Sequence, residues 1–217
     1  MIVLDGVTKS YHTRAGPKHV LRGIDFSISK GEKVGFLGRN GAGKSTLIRI
    51  ISGAELPDSG SVTRTMSVSW PLAFGGAFQN ALTGVDNLRF ICRIYGADLA
   101  GKLEYVEEFT ELGRDLYEPL RSYSAGMRAR LAFAISMVIE FDCFLIDEVF
   151  AVGDDRFQRK CHVELFEKRA DRAMIFVSHN EWFVKDHCDR IAVLDKGLAV
   201  SCETVEESYE YYRARYG

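Results

Sequence analysis

No apolar run in this 217-residue chain approaches the roughly 20 residues that a membrane-spanning helix needs. The longest, Leu131 to Ile139, suits a buried helix, so any work at a membrane calls for spans supplied by a separate chain. Asp5 interrupts the first apolar residues and no leader-like run follows, so no secretory signal is expected. The five cysteines (Cys92, Cys143, Cys161, Cys188 and Cys202) form no CxxC pair, a pattern of reduced thiols in a cytosol that excludes a disulfide frame or a zinc site. A formal net charge of -2 argues against a broad nucleic-acid-binding surface. No internal repeat, low-complexity tract or flexible linker is present. The 47% hydrophobic and 27% charged content is that of an ordinary globular protein, and the length allows one domain, or a domain with a subdomain.

What is present centres on Gly38-Arg39-Asn40-Gly41-Ala42-Gly43-Lys44-Ser45-Thr46. An apolar run, Val34 to Leu37, precedes it and another, Leu47 to Ile51, follows, so the order is buried strand, glycine-rich turn, helix. The spacing GxxxxGKS is that of a phosphate-binding loop. Its glycines free the backbone so that N–H groups converge on one anion, and the start of the next helix attracts the same charge. Lys44 is expected to reach the β- and γ-phosphates, and the Ser45 hydroxyl to ligate Mg²⁺.

Elsewhere the pattern is α/β. Ile24, Phe26 and Ile28 alternate with polar residues as in a half-buried strand, and residues 1 to 37 read as strands. Tyr11 lies in a polar stretch, either as a surface aromatic or as a platform for a purine ring. The helix after Ser45 ends near Gly53, and strand-like residues resume from Val62 to Trp70. A glycine-rich connector ends at Gln79, either a satisfied amide or a metal contact. Thr83 with Asp86 three residues on starts a helical stretch reaching about Glu140, an insertion in the α/β frame. Within it Ser124 suits a helix N-cap ahead of Met127, Leu131, Ala134, Ile135 and Val138 at helical spacing. Cys143 to Ile146 is a buried strand followed by Asp147 and Glu148. The pair is either a solvated strand end or, downstream of a phosphate loop, a site in which Asp147 falls beside the Mg²⁺ and Glu148 is placed to take a proton from an attacking water. Residues 154 to 169 read as a charged helix. Ala173 to Val177 is a further buried strand ending in Ser178-His179, where the histidine is either a satisfied polar group or, at the strand ends of a parallel sheet, part of the ligand site. Ile191 to Leu194 and Leu198 to Val200 flank a Lys196-Gly197 turn, and the tail from Glu203 is helical, with Tyr209, Tyr212 and Tyr216 as packing residues.

The order of these parts resembles that of an ABC-transporter ATPase from about Ile2 to Val200. The resemblance implies a mixed-sheet P-loop NTPase fold with an N-terminal antiparallel β subdomain and a helical insertion. The expected layout is a single nucleotide-binding domain, with a core of 1–78 and 141–217 and a helical subdomain of about 79–140. It makes Gly38 to Thr46 the ATP phosphate loop, Tyr11 the adenine-stacking aromatic and Gln79 the hinge glutamine near Mg²⁺. Asp147 becomes the metal-side carboxylate, Glu148 the catalytic one, Ala151 to Asp154 the loop across a dimer seam, and His179 the γ-phosphate sensor. Tyr123 to Met127 stands where the family has leucine-serine-glycine-glycine-glutamine. Tyr123, Ala125 and Met127 depart from that signature, while Ser124 and Gly126 keep a hydroxyl and a backbone N–H for phosphate. Lys44 and Ser124 are 80 residues apart, Glu148 and His179 are 31, as the family requires.

More narrowly, Ser69-Trp70-Pro71, Gly75 to Gly84, Tyr123 to Met127 and Asp147 to Asp154 resemble the capsular-polysaccharide export branch. That implies two copies closing head to tail over two ATP, a pair of integral-membrane permease subunits that contact the glycan, no nucleic acid, and a place on the cytoplasmic face of a bacterial inner membrane. Related O-antigen ATPases often carry a carbohydrate-binding domain after the cassette; with the sequence stopping at Gly217, none is expected. The rivals are an O-antigen or teichoic acid exporter, a soluble ABC ATPase acting on DNA or ribosomes, and a P-loop kinase. The 80 residues between Lys44 and Ser124 leave no room for the coiled coil of the DNA-repair type. The Asp147-Glu148 pair and Ser178-His179 disfavour the kinase.

Overall fold

Alternating apolar and polar side chains shape the first two strands of the structure, a computed structural model that describes residues 1–14, 16–72, 78–147, 154–177 and 181–216. β1 (Ile2–Thr13) and β2 (Gly16–Ile28) pair antiparallel, from Ile2 opposite Ile28 to Thr13 opposite Gly16. Along β2, Ile24, Phe26 and Ile28 are buried while Asp25 and Ser27 face water, as the alternation requires. β1 pairs on its other side with β4 (Ser59–Arg64), completing a three-stranded sheet.

A second sheet of six strands runs β5-β6-β7-β3-β8-β9. Its members are β3 (Lys33–Leu37), β5 (Val68–Leu72), β6 (Cys143–Asp147), β7 (Ala173–Val177), β8 (Arg190–Asp195) and β9 (Leu198–Ser201). β6, β7, β3 and β8 are mutually parallel and almost continuously apolar, because both faces are covered. β9 returns antiparallel to β8 through Lys196 and Gly197. Both take positive φ, 49° and 85°, the pairing a tight two-residue hairpin needs.

The two sheets share one core. Leu4, Val7, Ile24 and Phe26 from the first meet Val34, Phe36, Leu145, Ile175 and Ala192 from the second. Leu47, Ile48, Ile50 and Ile51 of α1 (Lys44–Ser52) complete it. Phe26 and Phe36 lie 5.0 Å apart, ring to ring. Helix α6 (Glu181–His187) approaches β3 so closely at Gly35 that a Cβ there would lie 2.2 Å from Val184 Cγ1. Helix α7 (Val205–Tyr216) packs on β8 through buried Tyr209 and Tyr212. The Tyr216 hydroxyl does more than pack: it donates to Asp195 at the end of β8.

These parts form one compact unit, made of Met1–Pro71, Phe141–Glu148 and Asp171–Gly217; Leu72–Glu140 and Val149–Ala170 form another. The second unit holds α2 (Gly84–Ile94), α3 (Lys102–Thr110), two short 3₁₀ turns at Gly113–Tyr117 and Leu120–Ser122, α4 (Ala125–Val138) and α5 (Asp155–His162). α5 runs on into a π-helical turn, Val163–Glu167. The sequence expectation kept all of 141–217 with the core and ended the helical part at 140. Residues 154–170 instead cohere with the helices, because Phe157 sits edge-on to both Phe109 (5.4 Å) and Phe133 (6.1 Å). Ion pairs Arg130–Asp154 (2.8 Å) and Lys160–Glu111 (2.5 Å) add to that seam.

All five cysteines are free thiols. Burial pushes Cys143 and Cys161 up to about 12, and Cys188 up as well. Among the described residues no helix is long and apolar enough to cross a membrane.

Candidate active site

β3 ends at Leu37 and the chain turns through Gly38 to Gly43 into α1. Gly41 and Gly43 take φ of 82° and 109°, left-handed values that side chains resist. A Cβ at Gly43 would also press within 3.0 Å of Leu21 Cδ2, so the loop is packed as well as twisted. Gly43 is the N-cap of α1 and offers no side-chain cap, which leaves the first N–H groups of that helix available to an anion. Lys44 is buried, and its ammonium folds back on the loop, donating to Gly38 O at 2.5 Å and Arg39 O at 3.2 Å.

The loop forms the floor of a cavity of about 460 Å³ lined by Tyr11, Lys18, Val20, Asn40, Gly41, Gly43, Lys44, Ser45 and Thr46. Ser45 is exposed within it and Thr46 is buried. The sequence-derived set Tyr11, Asn40, Gly41, Gly43, Lys44, Ser45 and Thr46 therefore meets around one space, although the whole of β2 and β3 separates Tyr11 from the loop in sequence. Gly38 lies beneath it, where a Cβ would come within 3.0 Å of Leu194 O.

Tyr11 is held by a polar network with no local signature in the sequence. Its hydroxyl donates to the Glu55 carboxylate, 2.8 and 2.9 Å from the two oxygens, accepts from Arg49 Nη2 at 3.1 Å, and lies 3.3 Å from Thr46 Oγ1. Arg49 Nε reaches Glu55 at 2.9 Å, and Lys9 Nζ bridges Glu55 (3.3 Å) and Asp58 (3.1 Å). Burial pushes the Glu55 carboxyl up, but hydrogen bonds from Arg49, Tyr11 and Lys9 together outweigh it and hold the group below its ordinary value.

The carboxyl ends of the parallel strands bring a second feature to the same edge. Asp147, last residue of β6, pairs with Val177 of β7, which pairs on its other side with Phe36 of β3 just before the phosphate loop. That is the side of an open α/β sheet where ligands bind. Glu148 and His179, with Ala151 to Gly153 of the expected dimer-seam loop, lie outside the described residues.

Gln79, Ser124 and Gly126 belong to the second unit. The Gln79 side chain is exposed, and its backbone is clamped by fully buried Asn87: Gln79 N–H donates to Asn87 Oδ1 at 2.8 Å, and Asn87 Nδ2 donates to Thr83 O at 2.8 Å and Gln79 O at 3.2 Å. Thr83 caps α2, accepting from Asp86 N–H at 3.0 Å. Ser124 caps α4, its oxygen accepting Met127 N–H at 3.2 Å, so its own hydroxyl proton stays free to donate. Gly126 opens onto space; a Cβ there would meet nothing closer than Ser124 Oγ at 4.0 Å. The departure at Tyr123 has a structural cause. Its ring is buried and its hydroxyl donates to Asp115 O at 2.7 Å, while a Cβ on Gly84 would fall 2.8 Å from that oxygen. Burial pushes the phenol up to about 12.

Among the described residues no group of three or more His, Cys, Asp or Glu is poised to hold a metal. Within the cavity the exposed Ser45 hydroxyl is an oxygen donor of the kind taken by a Mg²⁺ that arrives with a triphosphate and fills its shell with phosphate oxygens and water.

A family model described as "ABC transporter" matches residues 21–151. The chain is 59% identical to the capsule polysaccharide export ATP-binding protein CtrD of Neisseria meningitidis serogroup B, over 99% of each. It is 58% identical to the ATP-binding protein BexA of Haemophilus influenzae, over 98% of each. Among solved structures, the dimeric ATP-binding cassette MJ0796 bound to ADP and Pi superposes with a TM-score of 0.79 at 20% identity, covering 94% of this chain and 99% of that one.

Proposed function

This chain belongs to the ABC transporter family, and on that premise we propose that it is the ATP-hydrolysing subunit of a bacterial capsular polysaccharide exporter. The observation that carries the proposal is the end-to-end match to CtrD, at 59% identity over 99% of both chains. Relatives named for O-antigen export are less similar, at 37% identity over 85% of their length.

In this proposal two copies close head to tail, and each ATP lies between the phosphate loop of one and Ser124 and Gly126 of the other. Both surfaces donate hydrogen bonds to one γ-phosphate, which makes the nucleotide the bond between copies. Loop N–H groups and Lys44 bind the phosphates, and Lys44 offsets charge that grows as the terminal P–O bond breaks. Tyr11 stacks on the base. Glu148 orients and deprotonates the attacking water, and His179 meets the γ-phosphate. Ser45, Gln79 and Asp147 would hold Mg²⁺, which supplies charge neutralisation at the phosphates. The chain's partners are a pair of integral-membrane permease subunits, and the ATPase itself sits at the cytoplasmic face of the inner membrane. Exposed Phe90 and Ile94, one turn apart on α2 beside exposed Tyr95, give that pair an apolar surface to grip.

Glu148→Gln tests the chemistry. Turnover is expected to fall at least about 100-fold, the scale of a lost general base, while ATP-dependent dimerisation persists. Unimpaired hydrolysis would remove Glu148 from its role. Co-purification from native membrane tests the biology: a two-copy membrane partner carrying a polyanionic glycan supports capsule export, and recovery with ribosomes overturns it.

A further inference from the structure

We propose that Glu55 is the positioning residue for the nucleobase platform: by taking the Tyr11 hydroxyl on its carboxylate it fixes the ring that lines the phosphate-loop cavity. This rests on Tyr11 being that platform.

Tyr11 lies near the outer end of β1, half-buried beside exposed His12 and Thr13, with Lys9 Nζ 5.8 Å from its ring centre. Glu55 anchors its hydroxyl. Its backbone N–H donates to Arg49 O at 3.1 Å, so its own place is set by the end of α1. Its carboxylate then collects Tyr11, Arg49 and Lys9 from two different elements. The hydroxyl has one proton, which the carboxylate takes, and its oxygen is faced by Arg49 and Thr46. Thr46 stands in the first turn of α1 and lines the same cavity. Ring and phosphate loop are thereby fixed to one another through α1. A second consequence concerns selectivity. With its hydroxyl committed, Tyr11 offers a base only its face, which stacks on any purine and reads no hydrogen-bonding edge.

The test compares two probes, a non-hydrolysable ATP analogue (AMP-PNP) and inorganic tripolyphosphate, each titrated calorimetrically into the full chain with Mg²⁺. Glu55→Ala and Tyr11→Phe are each expected to weaken AMP-PNP about five-fold, a part of what stacking contributes. Tripolyphosphate affinity should not change. The double variant should be no weaker than either single one, since both remove the same link. Glu55→Gln keeps an acceptor oxygen and should recover most of the affinity, which guards against a folding defect. GTP and ATP analogues should weaken by the same factor. Equal loss of tripolyphosphate binding would overturn the proposal, because Glu55 would then be holding the loop and not the ring. So would full AMP-PNP affinity in Glu55→Ala alongside a loss in Tyr11→Ala. If Tyr11→Ala itself binds AMP-PNP normally, the platform falls and the proposal with it.

Discussion

A single missing side chain decides how closely α6 can lie on the central strand. Gly35 has an ordinary backbone, so its role is space: a methyl group there would sit 2.2 Å from Val184 Cγ1 and 3.0 Å from Cys188 Sγ. Gly35→Ala is expected to destabilise by about 1–3 kcal/mol, the cost of overpacking, and Val184→Ala in the same chain should recover part of it. Urea unfolding of the parent chain and the two variants measures this. Asp142 is a second residue-scale device. It accepts Ser67 N–H at 2.9 Å and Ser67 Oγ–H at 3.0 Å, with Arg172 3.6 Å away. The Ser67 backbone bond, foremost, holds its carboxyl below the ordinary 3.8. The folded state thus binds the proton less readily than the unfolded one. The resulting stability is complete above the unfolded value and disappears as pH falls through the lowered folded value. Asp142→Asn should therefore flatten the acid limb of Tm against pH below roughly pH 4, leaving the neutral region offset but parallel.

Elements were legible wherever a local rule set them. Apolar alternation marked β2, Thr83 with Asp86 and then Ser124 marked the starts of α2 and α4, and Gly53 stops α1 in a left-handed cap. Local rules are silent about Asn87, a polar residue on an amphipathic helix that turns out to be fully buried and to clamp the Gln79–Thr83 turn. Its side chain bonds to residues four, five and eight positions earlier, reaching back past the helix start into the turn before it. Asn87→Leu fits the volume but strands a buried N–H and carbonyls, so a loss of about 2–3 kcal/mol is expected in chemical unfolding. A smaller loss would mean that water re-pairs those groups. The Tyr11–Glu55–Arg49 network was invisible for the same reason: its partners stand 44 and 38 residues from Tyr11, and only the fold brings them together.

At the scale of the whole molecule, composition and motif order foretold an α/β chain with a helical insertion, and the phosphate loop does line a cavity together with Tyr11. They did not foretell that residues 154–170 join the helices, because the contact that recruits them, Phe157 against Phe109 and Phe133, spans segments far apart in sequence. The proposed head-to-tail pair makes its own prediction. Lys44→Ala and Ser124→Asp copies should each be inactive alone. Mixed one to one they should regain ATP turnover, because a heterodimer holds one site built from an intact loop and an intact Ser124. Absence of recovery in a mixture shown to contain heterodimer would exclude sites shared between copies. Finally, Cys92, Cys143 and Cys161 are buried, and Cys188 is shielded beside Gly35, which leaves Cys202, between β9 and α7, as the thiol that a maleimide fluorophore meets first. The molecule thus carries its own attachment point for a spectroscopic reporter at the foot of the last helix, without a cysteine having to be engineered in.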